Sequence, residues 1–340
     1  MKEKMIIYGA AKSGKAVYEL LKDQYDIIGF CDQNASLIGN MINGVEVHAP
    51  DWLLNYRDVG IIIGSYSARK ILQIREELDR RNITKVYTIE GTRRVVCMPL
   101  MALKALNEYR TIDLGRFLIQ RGHIELKELT YMPGGSKVLD YAFIREVAIR
   151  FRLKNYLEIG SLIGESINCV ADVCDVCHSL LLPPDHPNSD TTAAKEMNYP
   201  DYAERLMYSD KIQKHYGDSA KFDFSSIHED IDLYFIDGDH SYDAVKQDTI
   251  NVFRSKDENA FVIWHDFKCG EREFREEVIK AVYDAIGEDE FEGVYVTDNN
   301  LCGIFIPEKY RKLFCYKKPE YTEEKQTLYV YKTELMVSTM

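Results

Sequence analysis

The sequence predicts an α/β protein made of two parallel-sheet units joined by a helical connector. Two observations predict it: in each unit an apolar strand runs directly into a glycine loop and a helix, and strands then alternate with helices along the chain. The length of 340 residues agrees, because a typical domain has about 150 residues. We expect one domain over residues 1–95, the connector over 96–130 and a second domain over 131–340.

The first unit begins with an apolar strand over Lys4–Tyr8, which leads into the loop Gly9-Ala-Ala-Lys-Ser-Gly14. Apolar residues at helical spacing after this loop predict a helix. Later apolar runs predict a second helix over Ala68–Arg81 and strands over Asp26–Phe30, Val59–Ile63 and Lys85–Ile89. The alternation predicts a small parallel sheet.

The first glycine loop is close to two nucleotide-binding patterns. As a phosphate loop of nucleotide hydrolases it is incomplete, because Ala16 stands where a magnesium-binding hydroxyl is required. As a GxGxxG dinucleotide loop it has Ala11 at the middle glycine, with Asp32 at about the expected spacing. Residues 5–90 also resemble the small Rossmann-like domains at the front of sugar-modifying acyltransferases and nucleotide-sugar dehydratases. A site for NAD(P) or a nucleotide sugar and a structural or oligomerising role are both left open.

Helix formers with apolar residues at helical spacing dominate residues 98–130 and predict the connector. The second unit then begins near Tyr131, with a turn at Pro133-Gly-Gly135 and a helix over Tyr141–Phe151. Its strands are expected over Asn155–Ile159, His178–Leu182, Asp232–Asp237, Ala260–Asp266, Gly293–Thr297 and Cys302–Pro307. A polar insertion over Pro183–Lys211 is expected at the sheet edge where ligands enter, and Leu328–Tyr331 is a further candidate strand.

The composition excludes several classes of protein. With 46% hydrophobic residues the chain can bury a substantial core, which excludes a disordered, collagen-like or coiled-coil protein. The 55 acidic residues outnumber the 43 basic ones, and the resulting charge of −12 disfavours a nucleic acid partner. We find no signal peptide and no apolar run of about 18 residues. Eight scattered cysteines indicate reduced thiols, and we expect a soluble cytoplasmic protein with no membrane partner.

A second glycine loop follows the strand that ends at Ile159. In the run Glu158-Ile-Gly160-Ser161-Leu-Ile-Gly164, the first glycine permits a tight turn and close approach of a ligand, and the last permits close packing. Polar residues follow the later strands in the order Asp218-Ser219, Asp237-Gly-Asp-His240 and His265-Asp266. Because the carboxyl ends of parallel strands meet at one edge of a sheet, these residues are expected to line a single crevice.

In this order the motifs of residues 131–307 resemble the class I S-adenosylmethionine-dependent methyltransferases, particularly a branch whose members modify sugars and other small molecules. The resemblance implies that the cofactor contacts Glu158, Gly160, Ser161, Gly164, Asp218, Ser219 and Asp237. The family usually has an acidic residue after the second strand to bind the ribose, where this chain has Ser179-Leu-Leu-Leu-Pro183. Asp185 is a candidate substitute.

The spacing Asp237-x-x-His240 resembles that of metal-dependent sugar O-methyltransferases, in which the aspartate binds the metal and the histidine is the proposed base. The resemblance implies that His240 is the catalytic base and that Asp237 and Asp266 bind Mg²⁺, although His265-Asp266 replaces the acidic pair of those enzymes. The alternative is that these residues only cap and orient a turn.

The sequence therefore predicts a methyltransferase that acts on a hydroxyl of a sugar or small natural product, such as a glycan precursor. Alternatives are an NAD(P)- or nucleotide-sugar-dependent enzyme that uses the first unit, and a non-catalytic nucleotide-binding assembly module. A homo-oligomer is also considered. Cys169, Cys174 and Cys177 precede His178, but no second Cys-x-x-Cys completes a zinc site, so we expect these thiols in the core.

Overall fold

Two sheets organise the chain, and each belongs to one α/β unit. The computed structural model describes residues 2–65, 68–89, 95–96, 98–130, 136–196, 203–270, 273–317 and 329–332. The turn predicted at Pro133-Gly-Gly135 lies outside the described residues, as does Leu328, and residues 329–332 form no strand. The predicted α/β class with two Rossmann-like sheets is confirmed.

The sheet of the first unit has the strand order β3-β4-β2-β1-β5-β6-β7. Its central strand β1 (Lys4–Tyr8) pairs in parallel with both of its neighbours, so Ile6 and Ile7 are buried on opposite faces. The other strands are β2 (Asp26–Cys31), β3 (Met41–Ile42), β4 (Val45–His48), β5 (Gly60–Ile63), β6 (Val86–Ile89) and β7 (Val95–Val96). Two helices pack on this sheet, α1 (Lys12–Leu21) and α2 (Ala68–Arg80).

The sheet of the second unit has the order β11-β10-β9-β12-β13-β17-β16-β8. Five neighbouring strands are parallel, namely β9 (Asn155–Ile159), β10 (Val176–Leu181), β11 (Ile212–Tyr216), β12 (Leu233–Ile236) and β13 (Phe261–Trp264). Next to β13 lies β17 (Gly303–Phe305), which is antiparallel to its neighbours β13 and β16 (Val294–Thr297). The carboxyl ends of β9 to β13 therefore meet at one edge.

Helices cover both faces of the second sheet, and their apolar residues pack into two buried clusters. They are α5 (Val138–Phe151), α6 (Glu165–Ala171), α8 (Tyr242–Ser255) and α9 (Glu276–Phe291), while the short helix α7 (Asp190–Glu196) lies in the insertion after β10. A short hairpin of β14 (Lys268–Gly270) and β15 (Glu273–Phe274) precedes α9. Cys169, Cys174 and Cys177 are fully buried, as expected for thiols in the core.

The connector differs from the predicted all-helical segment. It contains the helices α3 (Leu100–Glu108) and α4 (Leu114–Ile119), but between them the strand β8 (Thr111–Ile112) pairs with β16 at the edge of the second sheet. Leu72 of α2 and Met98 are buried in the same apolar cluster as Ile279 of α9. The first unit and the connector therefore share a core with the second unit. In the part of the chain described by the structure, no helix is long and apolar enough to cross a membrane.

Candidate active site

A cavity of about 550 Å³ opens at the carboxyl ends of β9, β10, β11 and β12. This volume is in the usual range for a site that takes a small molecule or cofactor. Six of the residues selected from the sequence line it, namely Gly160, Ser161, Asp218, Ser219, Asp237 and His240. Glu158, Gly164 and Asp266 are not among its lining residues.

The second glycine loop forms the floor of the cavity. Gly160 has a φ of +83°, and a Cβ atom at this position would lie 2.5 Å from the carbonyl oxygen of Asp237. Only glycine allows so close an approach between this loop and the end of β12. Gly164, with a φ of +94°, packs against Met207, and a Cβ there would lie 2.5 Å from its Cγ atom. Gly164 thus has the predicted packing role, and its predicted contact with a cofactor stays a prediction.

Glu158 lies beneath the loop, where its side chain is fully buried. Its Oε2 atom accepts a hydrogen bond of 2.5 Å from the hydroxyl of Tyr156, and its Oε1 atom has no hydrogen-bond partner among the described residues. Burial raises the pKa of Glu158 to about 7. The structure therefore places this carboxyl group in the core next to the second glycine loop, and its predicted contact with the cofactor stays a prediction.

A cluster of histidines and carboxylates follows β12 and β13 at the cavity edge. The Nδ1 atom of His240 lies 3.0 Å from Oδ2 of Asp266. The buried His265 contacts both strand ends, because its Nδ1 atom lies 3.1 Å from Oδ1 of Asp237 and 3.3 Å from Oδ2 of Asp266. Asp266 has a φ of +56°, which is uncommon for a residue other than glycine and is typical of functional turns.

Two further residues of this cluster were not predicted from the sequence. Asp140, in the first turn of α5, has its Oδ2 atom 3.4 Å from Nε2 of His265. Arg275, which precedes α9, has its Nη1 atom 3.1 Å from Oδ1 of Asp266. Asp140 is 125 residues from His265, so no local pattern could indicate this contact.

The charges in the cluster stabilise one another. Burial opposes the charged form of His265, but the carboxylate of Asp237 and hydrogen bonds to Asp140 and Asp266 raise its pKa well above the usual value. Burial likewise opposes the ionisation of Asp266, but its contacts with His265, His240 and Arg275 lower its pKa to about 2. Asp266 is therefore an anion at neutral pH and faces the Nδ1 atom of His240.

The same residues are a candidate metal site. Asp237, His240 and Asp266 offer ligand atoms that lie within 4.8 Å of one another, and carboxylate oxygens suit a hard divalent cation. These carboxylates already contact donors of the protein, because Asp237 accepts a hydrogen bond from Ser136 and lies next to His265, while Asp266 pairs with Arg275. A cation would compete with these contacts, and Mg²⁺ at Asp237 and Asp266 stays a prediction.

The opposite part of the cavity is lined by the loop after β11 and by α8. Asp218 is exposed there, and its carboxylate accepts a hydrogen bond from the backbone N–H of Ala220 at 3.0 Å and pairs with Lys221 at 2.9 Å. Asp248 of α8, which was not predicted from the sequence, also lines the cavity and is 3% exposed. After β10, His186 and Asn188 line the cavity, whereas Asp185 is exposed and is not a lining residue.

The first glycine loop, Gly9–Gly14, is stabilised by contacts within the first unit. Asp32 accepts hydrogen bonds from the backbone N–H groups of Ala10, at 2.7 Å, and Asn34, at 2.8 Å. A Cβ atom on Gly14 would lie 1.8 Å from the carbonyl oxygen of Gly9, so this glycine is needed for the helix to pack against the loop. These contacts account for Gly14 and Asp32 without a ligand, and a site for NAD(P) or a nucleotide sugar stays a prediction.

Comparisons with known proteins match the two units separately. Residues 157–267 match the family model of a methyltransferase domain, and residues 1–89 match a family described as C2185-like, N-terminal. No curated protein sequence matches the chain significantly.

Among solved structures, the chain is similar to an S-adenosylhomocysteine-bound methyltransferase from Podospora anserina, PaMTH1, at 13% identity and a TM-score of 0.34, over 62% of this chain and 98% of that one. The O-methyltransferase TomG from Streptomyces achromogenes, in complex with S-adenosylmethionine, is similar at 12% identity and a TM-score of 0.34, over 57% and 87%. UDP-D-quinovosamine 4-dehydrogenase from Vibrio fischeri is similar at 20% identity and a TM-score of 0.25, over 29% and 96%.

Proposed function

We propose that this chain, whose residues 157–267 match the model of a methyltransferase domain, transfers the methyl group of S-adenosylmethionine to a hydroxyl group of a small acceptor. The observation that carries the proposal is the cavity at the carboxyl ends of the parallel strands, where the glycine loop lies beside Asp237 and His240. A glycine loop at the end of a parallel strand and an imidazole at the rim suit a bound cofactor and an incoming hydroxyl group.

The residues of the cavity fit S-adenosylmethionine. Gly160 lines the cavity and lets the loop approach the end of β12 closely, and the hydroxyl of Ser161 is held 2.7 Å from that of Ser179. Glu165, at the start of α6, also lines the cavity and accepts hydrogen bonds from the hydroxyls of Tyr141 and Thr130. The cofactor would be held by Gly160, Ser161 and Asp237 at its centre and by Asp218 and Ser219 at the far part of the cavity.

When bound, the cofactor supplies a methyl group on a positively charged sulfur atom. His240 would accept the proton that the acceptor hydroxyl group loses when it receives the methyl group. Asp266 holds the Nδ1 side of this imidazole at 3.0 Å, which leaves Nε2 to face the acceptor. Positioning of the two reactants supplies much of the rate, and His240 takes up the proton that is released.

The acceptor is proposed to be a sugar or a small natural product, such as a glycan precursor. The polar insertion after β10, of which residues 183–196 and 203–211 are described, contributes His186 and Asn188 to the cavity. Polar side chains of this kind suit an acceptor with several hydroxyl groups. The proposal includes no nucleic acid or membrane partner, and its mechanism requires no residue from a second copy of the chain.

Calorimetry with S-adenosylhomocysteine tests the proposal without a known acceptor. We expect one site per chain for S-adenosylhomocysteine and no heat of binding from NADH or NADPH at the same concentrations. Binding of NAD(P)H alone would favour the alternative enzyme that uses the first unit. Binding of S-adenosylhomocysteine without methyl transfer to any of a broad set of hydroxylated acceptors would favour the non-catalytic alternative.

A further inference from the structure

Three consecutive residues at the start of α9 contact three different parts of the chain. Arg275, the residue before the helix, has its Nη1 atom 3.1 Å from Oδ1 of Asp266, which follows β13. Glu276 forms an ion pair with Arg75 of the first unit. Glu277 accepts a hydrogen bond from the backbone N–H of the first residue of α8. The start of α9 therefore joins the first unit to the two segments that carry the proposed base and its carboxylate partner.

The first unit holds this helix start through buried charges. The side chains of Arg75 and Glu276 are 4% and 2% exposed, and Nη2 of Arg75 lies 3.0 Å from Oε2 of Glu276. The hydroxyl of Thr88, in β6, donates a hydrogen bond to the same oxygen atom at 2.7 Å. A shift of α9 away from the first unit would leave a buried charge without its partner, which costs much free energy. The start of α9 is therefore fixed in one position relative to the first unit.

Arg275 connects this helix start to the carboxylate that orients the proposed base. The two oxygen atoms of Asp266 face different partners, since Oδ2 lies 3.0 Å from Nδ1 of His240 and Oδ1 lies 3.1 Å from Nη1 of Arg275. The backbone N–H of Arg275 also donates to the carbonyl of Phe267 at 2.9 Å. Arg275 is thus bound, through its side chain and its main chain, to the segment that follows β13.

The conformation of Asp266 needs such support. Its φ of +56° is costly for a residue with a side chain, and it persists only where the surroundings fix it. Among the described residues, Arg275 is the only arginine or lysine that pairs with this carboxylate. Without the guanidinium group, the carboxylate could turn away from His240. Arg275 therefore sets the direction in which Asp266 faces the imidazole.

The turn that carries His240 is attached to α9 as well. Tyr242 follows His240 by two residues, and its backbone N–H donates to Oε1 of Glu277 at 3.3 Å. The hydroxyl of Tyr242 donates to Oδ2 of Asp284, further along α9, at 2.6 Å. Glu277 is 2% exposed, so this contact is also buried at its carboxylate end. Both members of the pair of His240 and Asp266 are thus attached to one helix.

We propose that Arg275 is a positioning residue for the base, and that the first unit acts in methyl transfer through it, by holding Glu276. The inference rests on the proposed function, since it assumes that His240 takes up the proton. The described residues that line the cavity all lie between Ser136 and Asp248, so the first unit contributes to transfer without lining the cavity. The effect can be large, because a misplacement of about 1 Å at a reacting group costs about 100-fold in rate.

Turnover and cofactor affinity of Arg275→Met test the inference. With radiolabelled S-adenosylmethionine and the best acceptor from a panel of catechols, monosaccharides and nucleoside diphosphate sugars, its kcat should be about 10- to 100-fold below wild type. Its KM for the acceptor and its affinity for S-adenosylhomocysteine should stay within about threefold, because Arg275 acts on the base and not on binding. Arg275→Lys keeps a cation beside Asp266 and should recover at least about a third of the wild-type kcat. Arg254→Met, at an exposed position near the end of α8, is the matched control and should keep full turnover.

A double-mutant cycle tests the part of the first unit. Arg75→Met should lower kcat per folded protein by about tenfold in the wild-type background, and by less than about threefold in the Arg275→Met background, because residues that act through one contact are not additive. Thr88→Val, which removes one hydrogen bond to Glu276 and keeps the ion pair, supplies a second cycle that does not depend on the folding of Arg75→Met. Lys104→Met, which breaks a partly exposed ion pair, should keep full turnover.

The outcomes separate this inference from the proposed function. If the wild-type protein does not bind S-adenosylhomocysteine or methylates no acceptor of the panel, the proposed function fails and the inference fails with it. Wild-type kcat in folded Arg275→Met would overturn only the inference. So would equal losses of kcat and of cofactor affinity that Arg275→Lys does not recover, because Arg275 would then be a structural residue. Decreases of kcat that multiply in both cycles would show that the first unit does not act through Arg275.

Discussion

Arg75 of the first unit and Glu276 of α9 form a buried ion pair with 3.0 Å between Nη2 and Oε2. The hydroxyl of Thr88 donates to the same carboxylate oxygen at 2.7 Å, and Arg75 also donates to the carbonyl of Met98 at 2.6 Å. The residue before Glu276 is Arg275, which contacts Asp266 in the active site. The ion pair thus joins the first unit to the start of α9, and the residue just before this helix, Arg275, contacts the candidate active site.

The ion pair predicts a large loss of stability when one partner is removed. Arg75→Met leaves the carboxylate of Glu276 buried without its cation, which should lower the free energy of unfolding by about 3–5 kcal/mol. The double variant Arg75→Met/Glu276→Met should recover much of this loss, because apolar residues of similar volume often replace a buried pair. Urea unfolding of the wild-type protein, the single variant and the double variant measures these free energies.

The matched control is Lys104→Met, which breaks the partly exposed ion pair between Lys104 of α3 and Glu76. Glu76 lies on α2, next to Arg75. Its effect should stay below about 1 kcal/mol. Equal effects of Arg75→Met and Lys104→Met would show that the buried pair does not hold the two units together.

Glu158 predicts a dependence of stability on pH. Because its pKa in the folded protein is about 7, above its unfolded value, the group stabilises the fold fully below the unfolded pKa. This stabilisation is lost as the pH rises through about 7. Glu158→Gln cannot ionise, so its free energy of unfolding relative to wild type should increase by about 1–3 kcal/mol between pH 5 and pH 8.

Urea midpoints of wild-type and variant proteins at the two pH values measure this change. Glu46→Gln, at a largely exposed position, serves as the control and should show a small difference at both pH values. A difference between Glu158→Gln and wild type that does not change with pH would contradict the prediction.

Removal of divalent cations tests the predicted metal site separately from the base. The base mechanism depends on His240 and Asp266 alone, and the carboxylates of Asp237 and Asp266 already contact His265 and Arg275. If the predicted cation binds at Asp237 and Asp266, excess EDTA should abolish turnover, Mg²⁺ should restore it, and the electron paramagnetic resonance signal of added Mn²⁺ should differ from that of the free ion. Turnover that persists in excess EDTA would contradict the cation and leave the base mechanism in place.

The main strands could be predicted because their apolar runs end at glycine or at acidic residues. β1 and β9 have the predicted bounds, and the predicted strands of the second unit match β10, β12, β13, β16 and β17 to within two residues. β11 was missed, since Ile212–Tyr216 is a polar edge strand without buried residues. β8 has two residues and no recognisable period, so it was predicted as part of a helical segment.

The candidate site was predictable only where residues follow strand ends. Gly160, Ser161, Asp237 and His240 follow β9 or β12, and the topology brings them together. Asp140 is in a sequence position that indicates only a helix cap, because its contact with His265 depends on how α5 packs. The sequence also did not indicate that the side chain of Glu158 is fully buried, because burial depends on how the loop and helices pack over β9.

The most direct test of the account is methyl transfer by His240→Ala. With radiolabelled S-adenosylmethionine and the best acceptor from a panel of catechols, monosaccharides and nucleoside diphosphate sugars, its turnover should be about 10²- to 10⁴-fold below wild type. Its affinity for S-adenosylhomocysteine should be unchanged, because the base acts only during transfer. His123→Ala, at an exposed position, should keep full turnover. Wild-type turnover by folded His240→Ala would contradict the assignment of the base.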